Sequence, residues 1–229
     1  VYALANGKMF SVNQKTEHLT LFTNFSGLHG TEIVQLAYDD VSEQLLIFYS
    51  DGKLDILHNK KVKYVADLYN KQITSSKRCN NVTFKGNMAY LSMDFGILTF
   101  DMEEYKFVDA YYIAPEAKEV KVTDVMFCGD SIYAKTPEVV YVAHTEDNIV
   151  DFRYWKECKK LPQAFDTKKG KEYVNEQGDV WKADGEKGVA CKYMSGVEMY
   201  YLPDGPCVNN PYRIEVGNGK LYMVAGGRW

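Results

Sequence analysis

No stretch of this 229-residue chain is a long hydrophobic run. Nothing approaches the roughly 20 consecutive apolar residues a bilayer-crossing helix needs, so no membrane span of that kind is expected. Proline is scarce, at six residues, and no segment sustains a 3.6-residue apolar period, which argues against a helical array. The four histidines, His18, His29, His58 and His144, are scattered without metal-ligand spacing and read as surface residues. Five cysteines, Cys79, Cys128, Cys158, Cys191 and Cys207, are too few and too dispersed for a disulfide framework. They read as small buried hydrophobes, with one bridge among Cys158, Cys191 and Cys207 left open for an oxidising compartment. No CxxC or Cys/His pattern suggests zinc. No G-x-S-x-G, Walker A, HExxH or EF-hand loop occurs, and "GNGKLY" at 217–222 lacks the third glycine of a dinucleotide fingerprint and reads as a hairpin turn. The acidic pairs Asp39-Asp40 and Glu103-Glu104 fall in turns, and nothing in the order of residues gathers them into a glycosidase cleft. A formal charge of −4 gives no reason to expect a nucleic-acid partner. No enzyme activity, metal or cofactor is expected.

What the chain has in quantity is aromatic. Eighteen Tyr and eleven Phe favour pleated strands, where flat and β-branched side chains pack well. The segment "NNVTFKGNMAYLSMDFGILTFDMEEYKFVDAYYI", 80–113, reads as strands Met88–Met93 and Ile97–Met102 around a tight Asp94-Phe95-Gly96 turn. Its landmark is Phe84 followed six positions later by Tyr90. The same step returns at Phe127 and Tyr133 and at Val216 and Tyr222. Tyr90 and Tyr133 are 43 residues apart, and Tyr133 and Tyr222 are 89 apart, which places an intervening copy near residue 178. Backward from Tyr90, Phe48 lies 42 residues earlier and Phe10 another 38 before that.

A period near 43 residues selects four-stranded propeller blades. The expected fold is all-β, a β-propeller with blade units near 1–30, 31–75, 76–118, 119–160, 161–206 and 207–229. The continuous apolar run Leu45–Tyr49 suits a strand buried on both faces between blades. "YKFVDAYYI" alternates more loosely and suits an outer strand. Asn6-Gly7, Asp51-Gly52 and Asn218-Gly219 read as hairpin turns with consecutive positive φ angles. The chain opens in mid-hairpin at "VYALANGKMFSV" and ends just past a strand at "LYMVAGGRW", so it is read as a piece of a longer protein whose targeting signals lie out of view.

One segment departs from the rhythm. "KECKKLPQAFDTKKGKE", 156–172, holds Lys156, Lys159, Lys160, Lys168, Lys169 and Lys171 against Glu157, Asp166 and Glu172. On an acidic chain this excess marks either a solvated loop or a patch for an anionic ligand. The pairs Tyr111-Tyr112, Tyr154-Trp155 and Tyr200-Tyr201 put one aromatic on each face of a strand, so one of each could stack on a sugar ring. Tyr154, Trp155, Lys159, Lys160, Lys168 and Lys169 are therefore the candidate ligand-binding residues.

The repeat-bearing segments "VYALANGKMFSV", "LLIFYSDGKLDIL", "NNVTFKGNMAYLSMDFGILTFDM" and "NNPYRIEVGNGKLYMVAGGRW" resemble the N-terminal β-propeller of the PorZ-like proteins of Bacteroidetes. The resemblance runs along nearly the whole chain, most clearly over 1–155 and 207–229. It is more distant to the two-component regulator propeller repeats of periplasmic sensors. The family resemblance implies a seven-bladed propeller, partly represented in this chain, in a non-enzymatic protein of the periplasm or outer-membrane surface associated with type IX secretion. It implies binding of anionic lipopolysaccharide and partnership with a sortase-like transpeptidase in attaching secreted cargo. A ligand-sensing propeller of a hybrid two-component regulator is the second reading, and a propeller enzyme acting on glycosides the third.

Overall fold

The structure, a computed structural model, describes residues 1–5, 7–159, 172–184, 188–201, 211–217 and 220–225. They form six antiparallel sheets. Sheet 1 holds β1 (Tyr2–Ala5), β2 (Lys8–Val12) and β3 (Leu19–Phe22); sheet 2 holds β4 (Ile33–Asp39), β5 (Gln44–Tyr49), β6 (Leu54–His58) and β7 (Lys61–Val65). Sheet 3 holds β8 (Cys79–Lys85), β9 (Met88–Met93), β10 (Gly96–Asp101) and β11 (Lys106–Tyr111); sheet 4 holds β12 (Asp124–Cys128), β13 (Ser131–Lys135), β14 (Val140–His144) and β15 (Lys156–Glu157). Sheet 5 comprises β16 (Glu172–Val174), β17 (Val180–Asp184), β18 (Gly188–Lys192) and β19 (Glu198–Tyr201), and sheet 6 comprises β20 (Pro211–Gly217) and β21 (Lys220–Ala225). Strands within each sheet follow chain order, the up-and-down meander of a propeller blade. The chain divides into two compact units, Val1–Lys171 with sheets 1 to 4 and Glu172–Trp229 with sheets 5 and 6.

In the first unit the cores lie between consecutive sheets. Every residue of β5 is buried. Leu45, Ile47 and Tyr49 join Met9, Leu28 and Ile33 against sheet 1, while Leu46 and Phe48 face sheet 3, meeting Leu91, Met93 and Phe100. A strand sandwiched in this way must be apolar on both faces, which is why its run is continuous instead of alternating. The third core joins Ile97 and Tyr111 of sheet 3, and Ile113 just beyond it, to Val125, Ile132 and Tyr141 of sheet 4 and to Trp155 just before β15. Each such side chain contributes roughly 1.5–3 kcal/mol by leaving water. The outer strand β11, by contrast, is mostly exposed or half-buried.

Residues one repeat apart become neighbours. Thr83 Oγ1 donates to the Val125 carbonyl at 2.6 Å and Asn81 Nδ2 to Asp124 at 2.6 Å, across separations of 42 and 43 residues. Tyr90 meets Phe127 edge-on, their centroids 4.8 Å apart. The landmark also holds in register. Tyr90, Tyr133 and Tyr222 pair with Thr83, Met126 and Glu215, each the residue just before Phe84, Phe127 or Val216. The copy expected near residue 178 is the 175–179 turn leading into β17.

Three details differ from the sequence expectation. The Gly7 carbonyl accepts from the Ile33 amide at 3.2 Å, so the β1–β2 turn sits beside the start of β4. At the corresponding place in sheet 3, the Met93 carbonyl at the end of β9 accepts from Val122 at 2.9 Å. β1, β2 and β3 are thus the second, third and fourth strands of their sheet, and Phe10 lies in a third strand instead of a second. In sheet 2 the β4–β5 turn spans four residues, 40–43, against two, 86–87, between β8 and β9, so Phe48 aligns with Ser92 and Leu46 takes the place of Tyr90. Finally, Gly52 has φ 90° while Asp51 is not in the left-handed region. Tyr49 N–H donates to the Lys53 carbonyl at 3.1 Å, so the loop has three residues with one left-handed glycine at its end. The expected Asn6-Gly7 and Asn218-Gly219 turns involve residues outside those described.

Candidate recognition surface

The 145–155 connection returns along the edge of β14 to reach β15, and a short 3₁₀ turn, Phe152–Tyr154, ends it. Asp151 caps that turn by accepting from the Arg153 backbone N–H at 3.0 Å and also takes the Arg153 guanidinium. Those hydrogen bonds hold the Asp151 carboxyl below its ordinary range. The turn splits the aromatic pair. Tyr154 points to water, whereas Trp155 is buried in the sheet 3–sheet 4 core and its indole N–H donates to the Ile149 carbonyl at 2.8 Å. Lys156 and Lys159 are exposed on either side of Glu157. The described part of the patch is therefore Tyr154 with Arg153, Lys156 and Lys159; Lys160, Lys168 and Lys169 lie outside the described residues. The other aromatic pairs divide likewise, with Tyr111 and Tyr201 buried and Tyr200 exposed.

A second constellation was not foreseen. Asp55, in β6, is completely buried. Its carboxylate accepts from the His29 backbone N–H at 2.8 Å, from the Tyr49 hydroxyl at 2.7 Å and from His29 Nδ1 at 2.8 Å. A carboxylate only accepts, so this contact requires the His29 proton to sit on Nδ1. The His29 ring stacks on Tyr64 with centroids 4.5 Å apart and planes 9° from parallel. Burial, and then the bond to Asp55, push the Tyr49 phenol well above its ordinary value. Gly30 makes the fit possible, because a Cβ there would stand 2.2 Å from the Tyr49 ring. Beyond Tyr64 the shelf continues through Lys53 over the Tyr69 ring at 4.4 Å, with Lys53 held by Asp51 at 2.6 Å. The available signal was an acid inside an apolar strand, "LDIL", whose charge had to find donors. Histidine spacing along the chain could not reveal it, since the partner comes from another sheet connection.

Chemically, the described residues offer aromatic faces and cations for recognition. His, Cys, Asp and Glu form no metal-holding group among them, and no described helix is long and apolar enough to cross a membrane. Cys79 is buried and Cys128 exposed, both as free thiols. Cys158 is half-buried and Cys191 buried, while Cys207 lies outside the described residues.

Among curated proteins no sequence matches significantly. A solved structure of PorZ, described as an essential bacterial surface component of the type IX secretion system of Porphyromonas gingivalis, aligns with 98% of this chain. The alignment has 26% identity and a TM-score of 0.61, and it takes in 29% of the PorZ chain, so the present chain spans under a third of that protein's length. The extracellular domain of a Bacteroides thetaiotaomicron protein, BT4673, described as a hybrid two-component system, aligns with 96% of this chain and 29% of its own at 13% identity and a TM-score of 0.52, a likeness of fold alone. The sequence profile described as "TSS9, PorZ, N-terminal beta-propeller domain" matches residues 1–156. With more than half of its length in that match, this chain belongs to the family of PorZ N-terminal β-propeller domains.

Proposed function

We propose that this propeller is a non-enzymatic recognition module of the bacterial cell envelope, exposed to the periplasm or the cell surface. In this reading it serves type IX secretion by holding anionic lipopolysaccharide near a sortase-like transpeptidase that attaches secreted cargo. The supporting observation is the family match over residues 1–156, joined to the likeness along nearly the whole chain to a surface secretion component. The local chemistry fits a charged glycan. Tyr154 offers a ring face for the apolar side of a sugar, and Arg153, Lys156 and Lys159 stand exposed nearby for phosphate or carboxylate. Lys160, Lys168 and Lys169 follow in sequence and belong to the same proposal. Trp155 serves the site from below, as the buried anchor of the turn that presents Tyr154.

The test is titration of purified lipopolysaccharide fragments against the protein and its Lys159/Lys160/Lys168/Lys169→Gln variant at several salt concentrations. The expected result is weaker binding by the variant and a shallower dependence on salt, since four cations no longer meet the anion. Equal affinity and equal salt dependence would remove these lysines from the site.

A further inference from the structure

The last strands of the four-stranded sheets share a protective feature. β7 carries Lys61 and Lys63, β11 carries Lys106 and Asp109, β15 is Lys156-Glu157, and β19 begins with Glu198. Charge on an edge strand discourages further pairing, because a second strand would bury or crowd it. β3, Leu-Thr-Leu-Phe, has none, and no Asp, Glu, Lys or Arg occurs from Leu19 to Thr31.

The backbone of β3 is open as well as uncharged. Val12 exchanges hydrogen bonds with Val1, its N–H donating at 2.8 Å and its carbonyl accepting at 2.9 Å, so it turns away from its opposite number Leu19. Asn13 N–H donates to the His18 carbonyl at 2.9 Å, which sets the alternation along the hairpin. Thr20 and Phe22 therefore bond inward to β2, and Leu19 and Leu21 direct N–H and C=O outward, without partners among the described residues. Leu21 keeps 39% of its surface exposed. Just beyond, Thr23 and Ser26 form a capping box, Gly27 closes the turn with φ 91°, and buried Leu28 anchors it. Phe25, within this turn, is fully exposed to water.

We propose that β3 is a self-association edge, pairing antiparallel with β3 of a second copy of this chain about a two-fold axis at Thr20. That register sets Leu19 opposite Leu21 of the second copy and the reverse, so the outward groups of both leucines bond each other. An isologous contact of this kind needs the same patch to complement itself. The spacing of the two open residues around Thr20 meets that need, and no like charges face one another. Phe25, next to the strand end, loses water in the same contact. The edge is short, so the dimer is weak and its population rises with protein concentration.

Sedimentation velocity of the full chain over a concentration series, with hydrogen exchange read at Leu19 and Leu21, tests this. The expected result is a monomer–dimer equilibrium in which both amides gain protection as dimer forms. Leu21→Lys, at an exposed site that leaves the fold intact, is expected to weaken dimerisation at least tenfold. A chain that stays monomeric at millimolar concentration overturns the proposal. So does a dimer that Leu21→Lys leaves unchanged, or one that forms while the Leu19 and Leu21 amides exchange freely.

Discussion

Replacing Asp55 by alanine probes the one completely buried acid among the described residues of the first unit. The carboxylate is wholly buried and takes three donors, two from His29 and one from Tyr49. In Asp55→Ala the Tyr49 hydroxyl loses its acceptor inside the protein, and the His29 amide does so at the foot of an exposed ring. The His29 side chain keeps 42% exposure and can turn to water, so its ring contributes little to the loss. A donor left unsatisfied in the interior costs about 1–3 kcal/mol. Two such donors, with the carboxyl carbon and oxygens gone from a packed site, give roughly 3–5 kcal/mol. That is a large part of the 5–15 kcal/mol typical of whole domains. Asp55→Asn separates charge from shape. Its oxygen can serve the Tyr49 hydroxyl and the His29 amide, while its NH₂ donates to His29 Nδ1 once the imidazole moves its proton to Nε2. Only the charge assistance is then lost, roughly 1–2 kcal/mol. Tyr49→Phe removes one bond and should cost about the same. Urea unfolding followed by circular dichroism, with midpoints compared at equal slopes, reads the series. The required order is Ala well above Asn and Phe. An alanine variant within 1 kcal/mol of the parent, or an asparagine variant as damaged as the alanine, would refute the assignment of Asp55 as the acceptor that ties this connection to sheet 2.

Three further outcomes follow from the same coordinates. Burial raises the Cys79 thiol above its ordinary 9.0, the Tyr49 phenol above 10.0, and the Tyr111 phenol to about 12. These groups stay neutral when folded but ionise once unfolded, so their stabilisation is complete below pH 9 and is lost as pH climbs from 9 towards 12. Urea midpoints should fall over that window and the fall should begin later in Cys79→Val; a flat profile counts against it. Gly96→Ala should cost roughly 2 kcal/mol or more in thermal unfolding, because φ is 148° and a Cβ would lie 2.4 Å from the Tyr111 carbonyl oxygen, part of the backbone. Of the adjacent aromatics, Trp155→Ala should lose about 3–5 kcal/mol, whereas Tyr154→Ala should change stability by about 0.5 kcal/mol or less and show its effect on glycan binding instead. Equal thermal shifts for the two would contradict their opposite placement.

Much of this fold was legible because its signals are local or periodic. The Phe84–Tyr90 step returned in register at Phe127–Tyr133 and Val216–Tyr222, since a hairpin joined by a short turn leaves little freedom in pairing. The continuous run at β5 reported burial on both faces. Alignment failed where a turn lengthened: the β4–β5 turn has two residues more than the β8–β9 turn, so the six-residue step becomes eight and Leu46, not Phe48, answers to Tyr90. Phe10 was misplaced for a related reason, because a second strand and a third strand have the same apolar alternation, and only the Gly7–Ile33 hydrogen bond tells them apart. The surface was harder to read. Composition located the basic segment and the exposed Tyr154, yet the burial of Trp155 depended on how the Phe152–Tyr154 turn rotates the next residue.

From residues alone came the all-β class, the blade period, the strands buried on both sides and the resemblance to PorZ-like propellers. The first three follow from side-chain spacing along a strand, a property of the chain itself. The Asp55–His29–Tyr49 cluster, the splitting of Tyr154 from Trp155 and the open edge at Leu19 and Leu21 were decided by the folded molecule. Each depends on which backbone groups and which sheet connection come face to face, and that proximity in space has no counterpart in sequence distance.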